Sequence, residues 1–222
     1  MYRKREGREC MQARARTAMM RALGDEQARD AELLLNGSKL PRMPAVRTSK
    51  TDPLHVNWVK APEGHSIGIT IGPGKKTSSL EGAPWDRDVA TDCDQLCADG
   101  VDVLVCLLET HEMARLSNAD LLVAARERGI DALHFPIVDV TAPSKELANE
   151  AVAAMLARKE KKIVIHCNGG LGRSGVIAGC LLRALGVSWE ETQERLHAAR
   201  GKRCPETVDQ RRFIEKFAYV PA

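Results

Sequence analysis

Residues 162–175, KIVIHCNGGLGRSG, are the stretch of this sequence that decides its fold. Within it, residues 163–165 form a β-branched run, which predicts a short strand buried on both faces. Three glycines within residues 169–172 allow the backbone angles of a tight loop. The stretch ends with the start of a predicted helix, which the apolar pattern of residues 176–185 continues. Such a loop attracts anions, because unpaired N–H groups and the helix dipole both point at it.

Polar side chains turn this predicted anion site into a candidate reaction centre. Cys167 falls at the strand end, where converging N–H groups favour the thiolate, a nucleophile able to attack phosphorus. Arg173 has a planar guanidinium group that can bind two phosphoryl oxygens at once. Ser174 is placed to donate a hydrogen bond to the sulfur. We expect His166 to orient the loop rather than to act as a base. The expected substrate-binding residues of the loop are Asn168, Gly169, Gly170, Leu171 and Gly172.

Attack by a thiolate expels an alkoxide or phenoxide, so the reaction needs a general acid. Asp139 is the best candidate, since it follows a predicted strand that ends at the same edge of the sheet as Cys167. Its alternative role is to cap a loop. Glu109 and Asp131 are rivals, but Asp131 lies at the opposite end of its strand.

Length and composition indicate one domain with an extension. The chain has 222 residues, of which 44% are hydrophobic, and no apolar run of the roughly 18 residues that a transmembrane helix needs. Seven cysteines without a disulfide-type spacing, and no apolar signal-peptide core, predict a cytoplasmic protein. Cys93 and Cys97 are one helical turn apart without a matching second pair, so no metal or other cofactor is expected.

Basic charge is concentrated at the N-terminus. Residues 1–50 contain twelve Lys and Arg against six Asp and Glu, whereas the whole chain has a net charge of only +3. We predict a basic extension and linker over residues 1–52 and a catalytic domain over residues 53–222. The arm is a candidate contact for an unknown partner, with a solvated helix or tail as the alternative. No nucleic-acid role is expected for the domain.

Strand and helix patterns alternate along the domain, which predicts an α/β fold with a central, mostly parallel sheet flanked by helices. Residues 72–78, between the second strand and the first helix, form a basic turn that is expected near the anion site. The predicted strands are 55–59, 66–71, 101–108, 130–138 and 163–165, and the predicted helices are 86–98, 109–116, 118–128, 144–161, 176–185, 188–199 and 206–217.

The pattern His166-Cys167-x5-Arg173-Ser174 resembles the signature of the cysteine-dependent protein tyrosine phosphatases. This pattern and the stretches 67–74 and 135–139 are similar, in order and spacing, to the corresponding stretches of the kinase-associated dual-specificity phosphatases. The similarity covers about residues 55–217. The resemblance implies a protein tyrosine phosphatase-like fold and Asp139 as general acid. It also implies a glutamine over the site that positions water, for which Gln210 is the candidate, with an exposed helix residue as the alternative. Glu206 stands where the family has another Gln.

The resulting hypothesis is a protein phosphatase that hydrolyses phosphotyrosine, and also phosphoserine or phosphothreonine, through a phosphocysteine intermediate. Loop residues 168–172 carry no positive charge, which favours a phosphoprotein over the alternative of an inositol phosphate or phosphoinositide. The sequence also leaves open a catalytically weak phosphate-binding module and an enzyme that handles sulfur or arsenate. A further hypothesis is a reversible disulfide between Cys106 and Cys167, weighed against a simple core role for Cys106.

Overall fold

The computed structural model describes residues 45–77, 83–158 and 161–221. The strands of these residues are β1 (Arg47–Thr48), β2 (Asn57–Val59), β3 (Ser66–Thr70), β4 (Lys76–Thr77), β5 (Trp85–Asp86), β6 (Val103–Cys106), β7 (Asp131–His134) and β8 (Lys162–His166). Their helices are α1 (Val89–Ala98), α2 (Thr110–Arg115), α3 (Leu121–Glu127), α4 (Lys145–Leu156), α5 (Gly172–Ala184), α6 (Trp189–Arg200) and α7 (Val208–Lys216). None of the helices in these ranges combines the length and apolarity needed to cross a bilayer.

The main sheet has five strands in the order β2-β3-β8-β6-β7. Only β2 runs antiparallel to its neighbour, and the other four strands are parallel. The central strand β8 is buried from Ile163 to His166, as its β-branched sequence predicts. The prediction of a central, mostly parallel sheet is thus confirmed. Because parallel strands end at one edge of the sheet, the residues that follow β6, β7 and β8 meet there.

Helices cover both faces of this sheet. Alternate strand residues such as Val105 and Ile165 pack with α4, α5, α6 and α7 on one face. The intervening residues, such as Leu104 and Val164, pack with α1, α2 and α3 on the other. Helix α5 is buried continuously from Gly172 to Leu182 and lies against the sheet beneath α6 and α7. This central helix therefore fixes the position of the loop that precedes it.

Helix α5 begins at Gly172, so the end of the glycine-rich loop forms its first turn, within the stretch that was expected to contain the start of the helix. One feature differs from the sequence prediction. A second, small sheet in the order β1-β5-β4 was not predicted, since two-residue strands carry no periodicity. The predicted strands and helices are otherwise present, and most are a few residues shorter than predicted.

Residues 45–52 belong to the compact unit that spans residues 45–222. The sequence prediction placed them in the linker, but β1 pairs with β5, and Oγ of Ser49 accepts a hydrogen bond from the backbone N–H of Asp88 at 2.9 Å. These contacts tie the segment to the start of α1. The rest of the predicted extension, residues 1–44, lies outside the described residues and stays a prediction.

Candidate active site

The reactive loop begins at Cys167, directly after β8, and leads into α5. Gly170 has a φ of 66°, a conformation that favours glycine, and its N–H group donates to Sγ of Cys167 at 3.3 Å. The Oγ atom of Ser174, in the first turn of α5, lies 3.4 Å from the same sulfur. Leu171, at the N-cap, supplies no side-chain cap, so the first N–H groups of the helix are left for the loop and for a ligand.

Arg173 is buried beside the loop and paired with a carboxylate on α2. Its Nη1 and Nη2 atoms donate to the two carboxylate oxygens of Glu112 at 2.5 and 3.0 Å, and Nη1 also donates to the carbonyl of Ile137 at 3.0 Å. Burial opposes both charges, but the hydrogen bonds between them, together with the other charges and donors around the pair, outweigh it, so the pKa of Glu112 is lowered and the pKa of Arg173 is raised. Nε of Arg173 has no partner among the described residues, which leaves it available to an oxyanion.

Asp139 lies on the loop after β7, and half of its side chain is exposed. Its Oδ1 atom is 2.8 Å from Nη2 of Arg173 and accepts a hydrogen bond from the backbone N–H of Val140 at 3.0 Å. Val140 has a φ of 64°, a left-handed conformation that is strained for a β-branched residue. The loop backbone therefore holds the carboxylate over the reactive loop.

The two rival carboxylates are engaged elsewhere. Glu109 precedes α2 and forms a capping box with Glu112. Asp131 opens β7 at the end away from the reactive loop and accepts a hydrogen bond from Nε of Arg158 at 2.7 Å. Neither residue lines the cavity above the loop.

The amide of Gln210 joins two segments of the chain, and its expected role in positioning water stays a prediction. Its side chain is fully buried, Nε2 donates to the carbonyl of Thr141 at 3.0 Å, and Oε1 accepts from the N–H groups of Glu206 and Thr207, each at 3.1 Å. Both polar atoms of the amide are thus engaged within the protein, and Gln210 does not line the cavity. It ties the loop of Asp139 to the start of α7, while Glu206 faces the cavity instead.

His166 is buried at the end of β8, with Nδ1 3.3 Å from the carbonyl oxygen of Cys167. Burial lowers the pKa of His166 to about 4, so the ring is neutral near pH 7. Cys106 lies opposite His166 on the neighbouring strand β6. Cys106 belongs to the core cluster on one face of the sheet, whereas Cys167 belongs to the cluster on the other face. Both cysteines are free thiols, and the proposed disulfide stays a prediction.

A cavity of about 230 Å³ opens above the reactive loop. It brings together Cys167, Arg173 and Asp139, and its one cationic side chain among the described residues is Arg173. Two carboxylates, from Asp139 and Glu206, stand in its wall. The lining residues are Asp139, Val140, Cys167, Asn168, Gly169, Leu171, Gly172, Arg173 and Glu206.

Three charged residues contact the site without any sequence pattern that singles them out. Glu112 binds Arg173, and Lys75 and Arg200 bind backbone carbonyls of the reactive loop. Lys75 was expected only as part of a basic turn near the site. The one sequence signal that could have identified such a residue is a charged side chain that follows small or apolar residues, as Lys75 follows Gly72-Pro73-Gly74.

A cysteine and an arginine at the two ends of a glycine-rich loop, at the carboxyl edge of a parallel sheet, define a cysteine-dependent phosphatase. A family model described as PTP-SAK, Swiss Army Knife protein, DSP-PTPase phosphatase domain, matches residues 78–216. The chain therefore belongs to the DSP-PTPase family of phosphatases.

Known proteins of similar sequence point to the same family. Cyclin-dependent kinase inhibitor 3 of Homo sapiens is 27% identical over 172 residues, which cover 74% of this chain and 79% of that protein. The protein of that name from Rattus norvegicus is 25% identical over 174 residues, with the same coverage of 74% and 79%.

Solved structures agree with the fold. Kinase associated phosphatase, with its catalytic-site cysteine substituted by serine, superposes with a TM-score of 0.68 at 26% identity, covering 74% of this chain and 94% of that chain. Tk-PTP in its active form superposes with a TM-score of 0.56 at 26% identity, covering 73% of this chain and 95% of that chain.

Proposed function

We propose that this phosphatase hydrolyses phosphate monoesters on proteins through a phosphocysteine intermediate. One observation carries the proposal: the sulfur of Cys167, the guanidinium of Arg173 and the carboxylate of Asp139 meet in one cavity of about 230 Å³. The N–H group of Gly170 donates to this sulfur at 3.3 Å, and Oγ of Ser174 lies 3.4 Å from it.

In the first step, the Cys167 thiolate attacks phosphorus, an S–P bond forms, and the bond from phosphorus to the leaving oxygen breaks. Asp139 gives its proton to that oxygen, which leaves as an alcohol or phenol. Nε of Arg173, with the N–H groups of the loop, binds the equatorial oxygens, and Nη2 joins it once Asp139 turns from Arg173 toward the leaving oxygen. Glu112 already holds the guanidinium in place, so Arg173 itself needs little reorganisation at the transition state.

In the second step, a water molecule attacks the phosphocysteine and gives a proton to the Asp139 carboxylate. The S–P bond breaks, inorganic phosphate leaves, and the thiolate returns. Ser174, with Oγ 3.4 Å from Sγ, stabilises the sulfur as it departs. We assign Gln210 to holding the Asp139 loop through Thr141, because its amide is engaged there.

The charges of the cavity support a substrate with one isolated phosphate. Arg173 is already shared with Glu112 and Asp139, and Glu206 adds another carboxylate to the wall. A second phosphate on an inositol ring would meet these carboxylates without a further cation of the described lining to neutralise it. We therefore favour phosphotyrosine, phosphoserine or phosphothreonine in a protein over an inositol phosphate.

The names of the relatives support a protein substrate. They connect two of these proteins with kinases, and we extend to this chain only the class of substrate, a phosphorylated protein. We also propose a reducing compartment, such as the cytoplasm, because the reaction needs a free thiol and the described cysteines are free.

The first experiment measures hydrolysis of p-nitrophenyl phosphate in EDTA by the full chain, Cys167→Ser and Asp139→Ala. Loss of turnover in Cys167→Ser, and a fall of about 100-fold or more in kcat in Asp139→Ala, are expected from the loss of the nucleophile and of the general acid. Asp209→Asn, which removes an exposed carboxylate of α7, is the matched control and should retain full activity. Turnover that survives Cys167→Ser would sink the mechanism.

A panel of substrates then separates the candidate functions. Phosphotyrosine, phosphoserine and phosphothreonine peptides are compared with a phosphoinositide and a soluble inositol phosphate, by release of inorganic phosphate. Higher kcat/KM for the peptides supports a protein phosphatase. Phosphate binding without turnover of any substrate would instead indicate a phosphate-binding module.

A further inference from the structure

Two cationic side chains hold three consecutive carbonyl groups of the reactive loop. Nζ of Lys75 donates to the carbonyl oxygen of Asn168 at 3.0 Å and lies 3.4 Å from its side-chain Oδ1. Arg200 donates through Nε to the carbonyl of Gly170 at 2.7 Å and through Nη2 to the carbonyl of Gly169 at 2.9 Å. Neither cation lines the cavity, so both act on the side of the loop away from the substrate.

The orientation of these carbonyls decides where the loop N–H groups point. In a trans peptide the C=O of one residue and the N–H of the next point in opposite directions. Carbonyls of residues 168–170 that are held outward therefore turn the N–H groups of residues 169–171 inward. The N–H group of Gly170 shows this directly, since it donates to Sγ of Cys167.

Glycine makes this orientation easy to lose. Gly169 and Gly170 can adopt backbone angles on both sides of φ = 0, so nothing in their own chemistry prevents a peptide from rotating. A rotated peptide would present its carbonyl oxygen to the substrate phosphate and would replace an attractive dipole with a repulsive one. Some contact outside the loop must select the productive orientation.

We propose that Lys75 and Arg200 are positioning residues of this phosphatase, which hold the reactive loop with its N–H groups turned toward the substrate phosphate. The inference rests on the proposed function, because it assigns to the loop the task of binding phosphate. Lys75, on the turn before β4, and Arg200, at the end of α6, thus contribute to the reaction although both lie outside the loop.

The surroundings of Lys75 support a specific role. Its side chain is 6% exposed, although a lysine is almost never buried without a partner. Burial lowers the pKa of Lys75 to about 8, while the nearby Cys167 opposes that shift and the cations Arg87 and Arg200 add to it. The ring of Trp85 lies 5.2 Å from Nζ. A buried ammonium held in this way has a fixed direction toward the loop.

A second backbone contact explains why Lys75 reaches the loop. The N–H group of Gly72 donates to the same carbonyl of Asn168 at 3.1 Å, which fixes the turn from Gly72 to Lys75 against the loop. The adjacent Lys76 points elsewhere and pairs with Asp86 at 2.9 Å, with half of its side chain exposed. The chain thus offers a neighbouring lysine as a control.

The test measures the binding of inorganic phosphate to the full chain with Cys167→Ser, by isothermal titration calorimetry. This background does not depend on turnover. We expect Lys75→Met and Arg200→Met each to weaken binding by roughly tenfold or more, the effect of losing hydrogen bonds from a charged group. Lys76→Met and Lys202→Met should stay within about twofold of the parent protein.

Kinetics of variants that keep the native Cys167, and can therefore turn over substrate, provide a second readout. Lys75→Met should lower kcat/KM for p-nitrophenyl phosphate, and Lys75→Arg, which keeps a charged donor, should recover part of the loss. A purely structural role would lower the midpoint of thermal unfolding and leave the phosphate affinity of the folded protein unchanged. Circular dichroism identifies any variant that fails to fold. If Lys75→Met fails to fold, the comparison of Arg200→Met with Arg200→Lys tests the proposal instead.

Equal phosphate affinity in the Lys75→Met, Arg200→Met and control proteins would overturn the inference. Failure of the parent Cys167→Ser protein to bind phosphate would also overturn it, since the loop would then not be a phosphate site. Absence of turnover in the unmodified protein counts against the proposed function instead, so the two failures are distinguishable.

Discussion

Arg173 depends on Glu112, a residue 61 positions earlier in the chain. Both side chains are almost completely buried, at 1% and 2% exposure, so each charge relies on the other. We predict that Glu112→Ala lowers the free energy of unfolding by about 3 kcal/mol, because it leaves a buried guanidinium unpaired. It should also lower kcat/KM by on the order of 100-fold, because Arg173 loses its fixed position.

Urea denaturation and p-nitrophenyl phosphate kinetics measure the two effects of Glu112→Ala. Glu127→Gln, which changes an exposed carboxylate on α3, serves as the control and should change neither quantity. An active, fully stable Glu112→Ala protein would show that Arg173 needs no partner.

The residues of the reactive loop could be predicted from the sequence because their contacts are local. Cys167, Gly170 and Ser174 lie within one strand, loop and helix, whose residue types dictate the geometry. Lys75 and Arg200 reach the loop from 93 and 30 positions away, so their contacts depend on tertiary packing that a single sequence does not encode locally.

At the scale of elements, the segment before α7 brings a carboxylate to the first turn of α5. A Cβ atom added to Gly172 would lie 3.2 Å from Oε2 of Glu206, and 3.0 and 3.1 Å from Nε2 and Oε1 of Gln210, so both side chains reach the first turn of α5. The backbone of Glu206 is fixed by the capping box of α7, through Oε1 of Gln210. The sequence pattern drew attention to this segment, but which of Glu206 and Gln210 lines the cavity depends on the orientation of α7, which the pattern does not determine.

We predict that Glu206→Gln raises kcat/KM for substrates with a second phosphate, because it removes like-charge repulsion at the mouth of the cavity. The expected gain is roughly threefold to tenfold, since the Glu206 side chain is partly exposed and its repulsion is screened by water. Release of phosphate from a singly and a doubly phosphorylated peptide provides the measurement. Glu215→Gln, which changes an exposed carboxylate on α7, should leave the ratio unchanged. An unaltered ratio in Glu206→Gln would exclude this residue from substrate discrimination.

For the whole molecule, the alternation of strand and helix patterns was sufficient to predict the mostly parallel sheet. The β-branched residues of β8 require burial on both faces, and this places β8 in the middle of the sheet with helices above and below. The small sheet was beyond sequence prediction, because Arg47–Thr48 and Trp85–Asp86 pair by their backbones at positions far apart in the chain.

The buried His166 ties the stability of the whole domain to pH. Its pKa is lowered by burial to about 4 when folded, whereas an unfolded histidine titrates near 6.5. Between these values the unfolded chain binds a proton that the folded protein does not, so the free energy of unfolding falls as pH falls, by about 3 kcal/mol at pH 4 from this residue. Urea denaturation from pH 7 to pH 4 should therefore show a flatter pH dependence in His166→Gln than in the parent protein. The exposed His111→Gln is the control, and parallel curves for the parent protein and His166→Gln would rule out His166 as the source.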